Sequence, residues 1–320
     1  MTSFKYVDLT RFENPYSFDN DLPHPTWKPV SDYIHNAFHE TAWSEAWGEA
    51  VAQWLQKLAA VLGPTYQVDQ SPKFFTMSCR DEKGRKQLMQ LAEQLRGEIL
   101  TALKGIELKK TYGKQVVLLF GDPTDYYRYI SHYYAEGTHI QSLGKFITSS
   151  GYAHIVLPDI PYQTNRTLAH ELTHNCLMTL RIPLWLNEGL ANRIAAQFSS
   201  YGEKCLTADL ADQHFSFWTR EKIQSFWDGR AFSYPAYSAM AYSLSTILVG
   251  LITQENWDIK NFIQHASYTD AGAKAAEEYL GRTLSEIAGI FLGPGNWSPN
   301  PPQPTTAKVS NPSPDGTNRK

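Results

Sequence analysis

Apolar residues recur every three or four positions from about Ser31 to Leu62, which predicts one long helix with a single buried face. Gly63 and Pro64 follow directly, and both residue types end helices. Residues 1–30 show no such period and are rich in Pro, Asn, Asp and aromatic residues. For these residues we expect an extended arm that lies on the surface.

Residues 66–158 alternate between continuous apolar runs and helical spacing. The runs KFFTMSC, QVVLLF and GYAHIVLP predict three strands. The segments after the first two, EKGRKQLMQLAEQLRGEILTAL and DPTDYYRYISHYY, predict helices, the second with Asp122 as its N-cap. Strands and helices in alternation are typical of an α/β layer. The edge of the GYAHIVLP strand is a candidate to pair with an extended peptide.

After Asn165 the spacing is helical through about Leu292, with predicted breaks near Pro183, near Gly202, around DGRAFSYP and at Asn256. The sequence therefore predicts an α+β fold with a mixed sheet in its first half and a helical lobe in its second. We place an N-terminal arm and long helix, packed on the main domain, at 1–65, the main domain itself at 66–293 and a disordered tail rich in Pro, Asn, Ser and Thr at 294–320.

Composition excludes several classes of function. The 320 residues carry a formal net charge of −3 without a basic patch, which argues against nucleic acid as a partner. Three cysteines are too few for a disulfide framework or a four-cysteine zinc site. No secretory signal and no apolar run of roughly 18 residues is evident, so we expect a cytoplasmic protein without a membrane segment. The oligomeric state stays open.

The stretch TLAHELTHNCLM, residues 167–178, places two histidines four positions apart around a glutamate. Residues four apart lie on one helix face with Cβ atoms roughly 5 to 6 Å apart, so His170 and His174 can direct ring nitrogens at one cation. This spacing is typical of zinc sites. Glu171 follows the first histidine, and its carboxylate can take a proton from water there, as a general base does.

A third ligand is available in IPLWLNEGLAN, where Glu188 follows His174 by fourteen positions. Pro183 can open a new helix, and a two-helix hairpin would return Glu188 to the histidines. Two histidines and one glutamate leave a fourth position for water, as in catalytic rather than structural zinc sites. Asn192, one helical turn beyond Glu188, is a candidate to hydrogen-bond the outer nitrogen of a ligand histidine.

HELTH followed by WLNEGLA resembles the gluzincin metallopeptidases, and within them the peptidase MA-like group related to aminopeptidase N. Members carry HExxH on one helix and a third zinc ligand on a WxxEGxA-type helix, in this order. The similarity is specific over about residues 165–195, and the layout of 73–158 is similar to the family's upstream half. Two features depart from the pattern. The spacing from His174 to Glu188 is shorter than in aminopeptidase N-like and thermolysin-like enzymes, and no GAMEN-type motif precedes HELTH. The second departure argues against strict aminopeptidase activity.

The resemblance implies a zincin-like fold, with a mixed β-sheet and helices in the first half and a mainly α-helical C-terminal lobe. It implies one Zn²⁺ per chain, held by His170, His174 and Glu188, with Glu171 as the catalytic base. The expected activity is hydrolysis of a peptide or protein substrate. The alternative is a binding protein that keeps the fold and the metal without useful turnover.

The resemblance also implies a tyrosine, downstream of the third ligand, that donates a hydrogen bond to the oxyanion. Tyr242 is our candidate, because AYSLSTILVGLI is similar to the helix that carries this tyrosine in the family. Tyr237 is the rival. The physical requirement is a phenol aimed at developing negative charge in a water-poor site.

Overall fold

The computed structural model describes residues 4–134, 143–198, 207–254 and 257–301, and it confirms a mixed α+β fold. The chain divides into two compact units, the first formed by residues 4–97 and 110–172 and the second by residues 98–109 and 173–301. The boundary after Leu172 lies inside the helix that carries HELTH.

The strands all lie in the first unit, as a hairpin and a five-stranded sheet. The hairpin consists of β1 (Tyr16–Asp19) and β2 (Leu22–Pro25), and the sheet of β3 (Gln67–Gln70), β4 (Phe74–Ser78), β5 (Gln115–Phe120), β6 (Lys145–Ser149) and β7 (Tyr152–Pro158). The sheet order is β3-β4-β5-β7-β6, in which β4, β5 and β7 are parallel and the two outer strands are antiparallel to their neighbours.

The three predicted strands form the interior of this sheet. Their side chains are almost all buried, as expected for parallel strands covered on both faces. The predicted peptide-binding edge of GYAHIVLP is wrong, because β7 pairs on both sides, with β5 and with β6. Among the described residues the edge on that side is β6, whose half-buried KFITS sequence carries a weak apolar signal.

The helices of the first unit cover the sheet. They are α1 (Trp27–Ala37), α2 (Glu40–Leu62), α3 (Glu82–Ala102), whose last turn belongs to the second unit, and α4 (Pro123–Ile130). Asp122 caps α4 by accepting the backbone N–H of Thr124 at 2.8 Å, which confirms its predicted role. The single helix predicted from Ser31 is interrupted, because Phe38 is extended and His39 caps a new helix.

The N-terminal arm is an integral part of the first unit. Val7 and Leu22 are fully buried, and the Glu49 carboxylate of α2 accepts the backbone N–H groups of Tyr6 and Val7. Trp54 of α2 donates its indole N–H to the Pro23 carbonyl at 3.1 Å. The arm and α2 therefore share one hydrophobic core with the sheet.

The second unit is helical. Its helices are α5 (Thr164–Leu177), whose first half belongs to the first unit, α6 (Leu184–Ala196), α7 (Ala208–Phe217), α8 (Lys222–Trp227), α9 (Pro235–Gln254), α10 (Ile259–His265), α11 (Ala273–Ala275), which continues as a π-helix to Leu280, and α12 (Leu284–Leu292). The predicted breaks near Gly202 and at Asn256 lie outside the described residues. By length and composition alone, α9 is apolar enough to cross a membrane, with a mean hydropathy of 1.4 over 18 residues.

The first residues of the predicted tail are packed onto the second unit. Trp227 donates its indole N–H to the carbonyl of Trp297 at 2.8 Å, and the Gln224 amide donates to the carbonyl of Ser298 at 3.0 Å. The backbone N–H of Asn300 in turn donates to the Gln224 side chain. Packed structure therefore continues beyond the predicted boundary at 293 and includes Asn300. Residues 302–320 lie outside the described part of the chain.

Two buried histidines lie between the hairpin, the sheet and α4. The Nε2 of His154 lies 2.9 Å from the hydroxyl of Tyr129, and the His24 ring stacks on that of His132 with ring centroids 3.9 Å apart. Burial lowers the pKa of His24 to about 2 and that of His154 to about 3, because neither ring is solvated well enough to carry a charge.

The first unit should therefore lose stability as the pH falls below about 6.5. Under these conditions the unfolded chain binds protons that the folded histidines do not, so each histidine costs about 1.4 kcal/mol per pH unit until its folded pKa is reached. Unfolding by urea at pH 8, 7, 6 and 5, in the presence of a metal chelator, measures the slope. His154→Gln should flatten it, whereas His35→Gln, at an exposed position, should not. A slope unchanged in His154→Gln would contradict this assignment.

Candidate metal centre

Helix α5 carries HELTH and is largely buried. Leu168 and Leu172 are fully buried, which fixes the rotation of the helix about its axis. His170 and His174, four positions apart, are half-buried on a neighbouring face, and Glu171 is only 7% exposed. The helix therefore presents two imidazoles one turn apart, with a carboxylate held next to the first of them.

Helix α6 is anchored by the tryptophan of WLNEGLA. Trp185 is fully buried, packs against Trp227 with ring centroids 5.7 Å apart, and donates its indole N–H to the Ala271 carbonyl at 2.9 Å. Pro183 is the N-cap residue, so the helix begins next to the residue that the sequence predicts. Glu188 follows one turn inside α6 and is 8% exposed.

The structure brings the three predicted ligands together. One ligand atom from each of His170, His174 and Glu188 lies within 4.8 Å of the others. The His174 Nε2 and a carboxylate oxygen of Glu188 are 3.4 Å apart. Two ligands of a tetrahedral zinc are separated by roughly 3.3 Å, given metal–ligand distances of about 2.0 to 2.1 Å. Two imidazole nitrogens and one carboxylate oxygen also match the donor types that zinc takes, so the residues fit this metal.

Asn187 orients His174. Its side-chain oxygen lies 2.7 Å from the His174 Nδ1. Because an amide oxygen only accepts, this hydrogen bond forms in the tautomer that carries the proton on Nδ1. The Nε2 that faces Glu188 then carries a lone pair for a cation. The sequence predicted this role for Asn192, which is wrong: Asn192 lies further along α6 and donates its amide to the Thr246 hydroxyl of α9 at 3.1 Å.

Glu171 lies near Gly144 and acts electrostatically on Tyr134, two residues that sequence reasoning missed. A Cβ on Gly144, just before β6, would lie 3.1 Å from the Glu171 Oε1 and 2.6 Å from side-chain atoms of Leu157 and Thr167. Burial raises the pKa of Tyr134, and the negative charge of Glu171 raises it further, so that phenol stays protonated. Neither residue belongs to a recognisable motif, and both are far from Glu171 in the sequence.

The candidate oxyanion donors both lie on α9. Tyr242 is 36% exposed, and its ring packs edge-on against Phe232 with centroids 5.2 Å apart. Tyr237 lies further toward the start of the helix and packs against Phe217. One turn after Tyr242, Ser245 lies against the residue that follows Glu188, since a Cβ on Gly189 would be 2.5 Å from the Ser245 carbonyl oxygen. Tyr242 therefore lies one turn before the point where α9 packs on Gly189 of α6.

Comparisons with known proteins add no family assignment. No family model matches the chain, and no curated protein matches it at a significant level. The resemblance to gluzincins thus rests on HELTH and WLNEGLA alone.

Proposed function

We propose that the protein is a zinc-dependent metallopeptidase of the gluzincin type, with a zincin-like fold and one Zn²⁺ per chain. The observation that carries the proposal is the convergence of His170, His174 and Glu188, whose ligand atoms lie within 4.8 Å of one another. The hydrogen bond from His174 to Asn187 supports it, because metal-binding histidines are usually oriented by such a partner.

The chemistry follows from the residues around this group. A bound zinc supplies a Lewis acid that polarises a carbonyl oxygen and lowers the pKa of water toward about 7. A carboxylate oxygen of Glu171 accepts a proton from the attacking water and returns it to the nitrogen of the leaving amine, as the C–O bond forms and the C–N bond breaks. The low exposure of Glu171 keeps bulk water from competing for this proton. The phenol of Tyr242 is the proposed hydrogen-bond donor to the oxyanion, with Tyr237 as the rival.

A peptide substrate is supported by the position of β6. This strand lies at the edge of the sheet within the described residues, and edge strands can pair with extended peptides. Gly144, immediately before β6, is the residue that lies against Glu171. A peptide paired along β6 would therefore pass the proposed base, which favours cleavage within an extended chain.

The first test is the zinc content of protein purified without an affinity tag, measured by plasma mass spectrometry. Wild-type protein should contain about one zinc per chain, as three protein ligands predict. Glu188→Ala should lose most of it, because two histidines remain. Asn187→Ala should keep the three ligands but bind zinc about 10- to 100-fold more weakly in a competition titration with a chelator.

Asn192→Ala is the matched control for Asn187→Ala. Both variants remove an amide from α6, but the Asn192 amide is bonded to Thr246 and not to a ligand. Its zinc affinity should equal that of wild type. Wild-type protein that takes up no zinc after reconstitution would refute the metal site, and full zinc occupancy without cleavage of any peptide in a library would favour a binding protein over an enzyme.

A further inference from the structure

The second unit contains a cavity that the proposed reaction does not use. Its volume is about 580 Å³, within the range of small-molecule sites. The wall includes the end of α3 and the segment after it, together with residues of α6, α9 and α10. The residues of α6 that line it, such as Leu190 and Ile194, come after Glu188 along the helix.

The interior of this cavity is aliphatic. Leu103, Leu190, Ile194, Val249 and Ile263 contribute to the lining, and each is less than 8% exposed. No aromatic residue and no Asp or Glu is among the described residues that line it. A lining of this kind favours a hydrocarbon chain over a sugar, a nucleotide or a planar ring.

Three cationic side chains, from Lys104, Arg193 and Lys260, lie around the same cavity. Two of them, Lys260 and Arg193, lie close over glycines, and a Cβ at those positions would make their flexible ends shift. A Cβ on Gly105 would lie 2.9 Å from the Lys260 Cδ, and a Cβ on Gly250 would lie 2.8 Å from an Arg193 terminal nitrogen. The glycines thus give both cations room to lie close to the backbone beside an apolar interior.

We propose that this cavity binds an aliphatic carboxylate, with its hydrocarbon chain against the leucine and isoleucine wall and its carboxylate near Lys104 and Lys260. Charge complementarity selects the anion, since the described lining offers positive charge and no negative charge. The aliphatic wall selects the chain, because burying hydrocarbon is the main source of affinity in such a site. This inference is independent of the peptidase proposal.

Isothermal titration of the full chain with dodecanoate, below its critical micelle concentration, tests the proposal. Saturable binding of one dodecanoate per chain is expected. Dodecylamine, with the same chain and the opposite charge, should bind at least about tenfold more weakly, and butyrate should not bind measurably. The double variant Lys104→Gln/Lys260→Gln should bind dodecanoate about tenfold more weakly, since each exposed ion pair contributes up to about fivefold.

Two further variants separate the cavity from the general surface. Thr253→Phe introduces a ring at the cavity lining and should abolish binding, whereas Lys222→Gln/Lys274→Gln removes two charges elsewhere and should leave binding unchanged. Thermal unfolding of each variant verifies that it is folded. The proposal is overturned if wild type shows no saturable binding, if dodecylamine binds as tightly as dodecanoate, or if the Lys104→Gln/Lys260→Gln protein retains wild-type affinity. Because these titrations involve neither peptide nor zinc, the metallopeptidase proposal stands or falls independently of whether dodecanoate binds.

Discussion

Replacing Glu171 by Gln should leave zinc bound and lower peptide turnover by about 10²- to 10⁴-fold, the usual contribution of a general base. The amide of glutamine has nearly the shape of the carboxylate, so it can occupy the same buried position against Gly144. It cannot accept and return a proton in the way that a carboxylate does. The loss should therefore fall on the chemical step and not on the fold or the metal.

Three measurements on this variant distinguish the possible outcomes. Zinc content should equal that of wild type, the thermal unfolding midpoint should change little, and kcat for a peptide cleaved by wild type should fall. Glu45→Gln, an exposed substitution of the same kind on α2, is the control and should retain full turnover. If the Glu171→Gln protein cleaves peptide at the wild-type rate with zinc bound, Glu171 is not the base.

The cluster of His170, His174 and Glu188 could be predicted because its arrangement is mostly local. His170 and His174 lie on one face of any α-helix, whatever packs around it. The return of Glu188 needs only a short connection between two helices, and Pro183 marks where the second begins. The three interior strands could be predicted equally well, because a strand buried on both faces is a continuous apolar run.

The features that sequence reasoning missed depend on tertiary contacts. The β6 strand alternates weakly, and its place at the sheet edge is set by its pairing with β7. The choice between Asn187 and Asn192 depends on how α6 is rotated against α9, which helical spacing alone does not determine. The same holds for the arm, whose ordering depends on Glu49 and Gln53 of α2 accepting its backbone N–H groups.

Gly189, directly after the proposed third ligand Glu188, shows why the motif contains a glycine at this position. A Cβ here would lie 2.5 Å from the Ser245 carbonyl oxygen and 2.5 Å from a Val249 methyl group. The carbonyl belongs to the α9 backbone and cannot rotate away, and valine has one strongly preferred rotamer in a helix. The close packing of α6 on α9 thus requires glycine, and this packing fixes the position of the adjacent Glu188.

Gly189→Ala should therefore destabilise the protein and weaken zinc binding together. Alanine gains about 0.5 to 1 kcal/mol as a better helix former, but overpacking typically costs about 1 to 3 kcal/mol, and contact with backbone favours the upper end. We expect a net loss of about 2 kcal/mol, which lowers the unfolding midpoint by roughly 4 to 8 °C for a unit of this size. Displacement of α6 should also lower zinc affinity by moving Glu188.

Gly289→Ala is the matched control, because it makes the same substitution inside a helix of the same unit. A Cβ on Gly289 would meet only Trp297, at 3.9 Å, so the helix-forming gain is not offset and the midpoint should rise by about 1 to 4 °C. Scanning calorimetry gives both midpoints, and chelator competition gives both zinc affinities. Opposite shifts in the midpoints, with zinc affinity reduced in Gly189→Ala alone, would tie the glycine of the motif to the placement of Glu188. A Gly189→Ala protein that is stabilised like the control would show that α6 and α9 can separate at no cost, and Glu188 would then be held by something other than this packing.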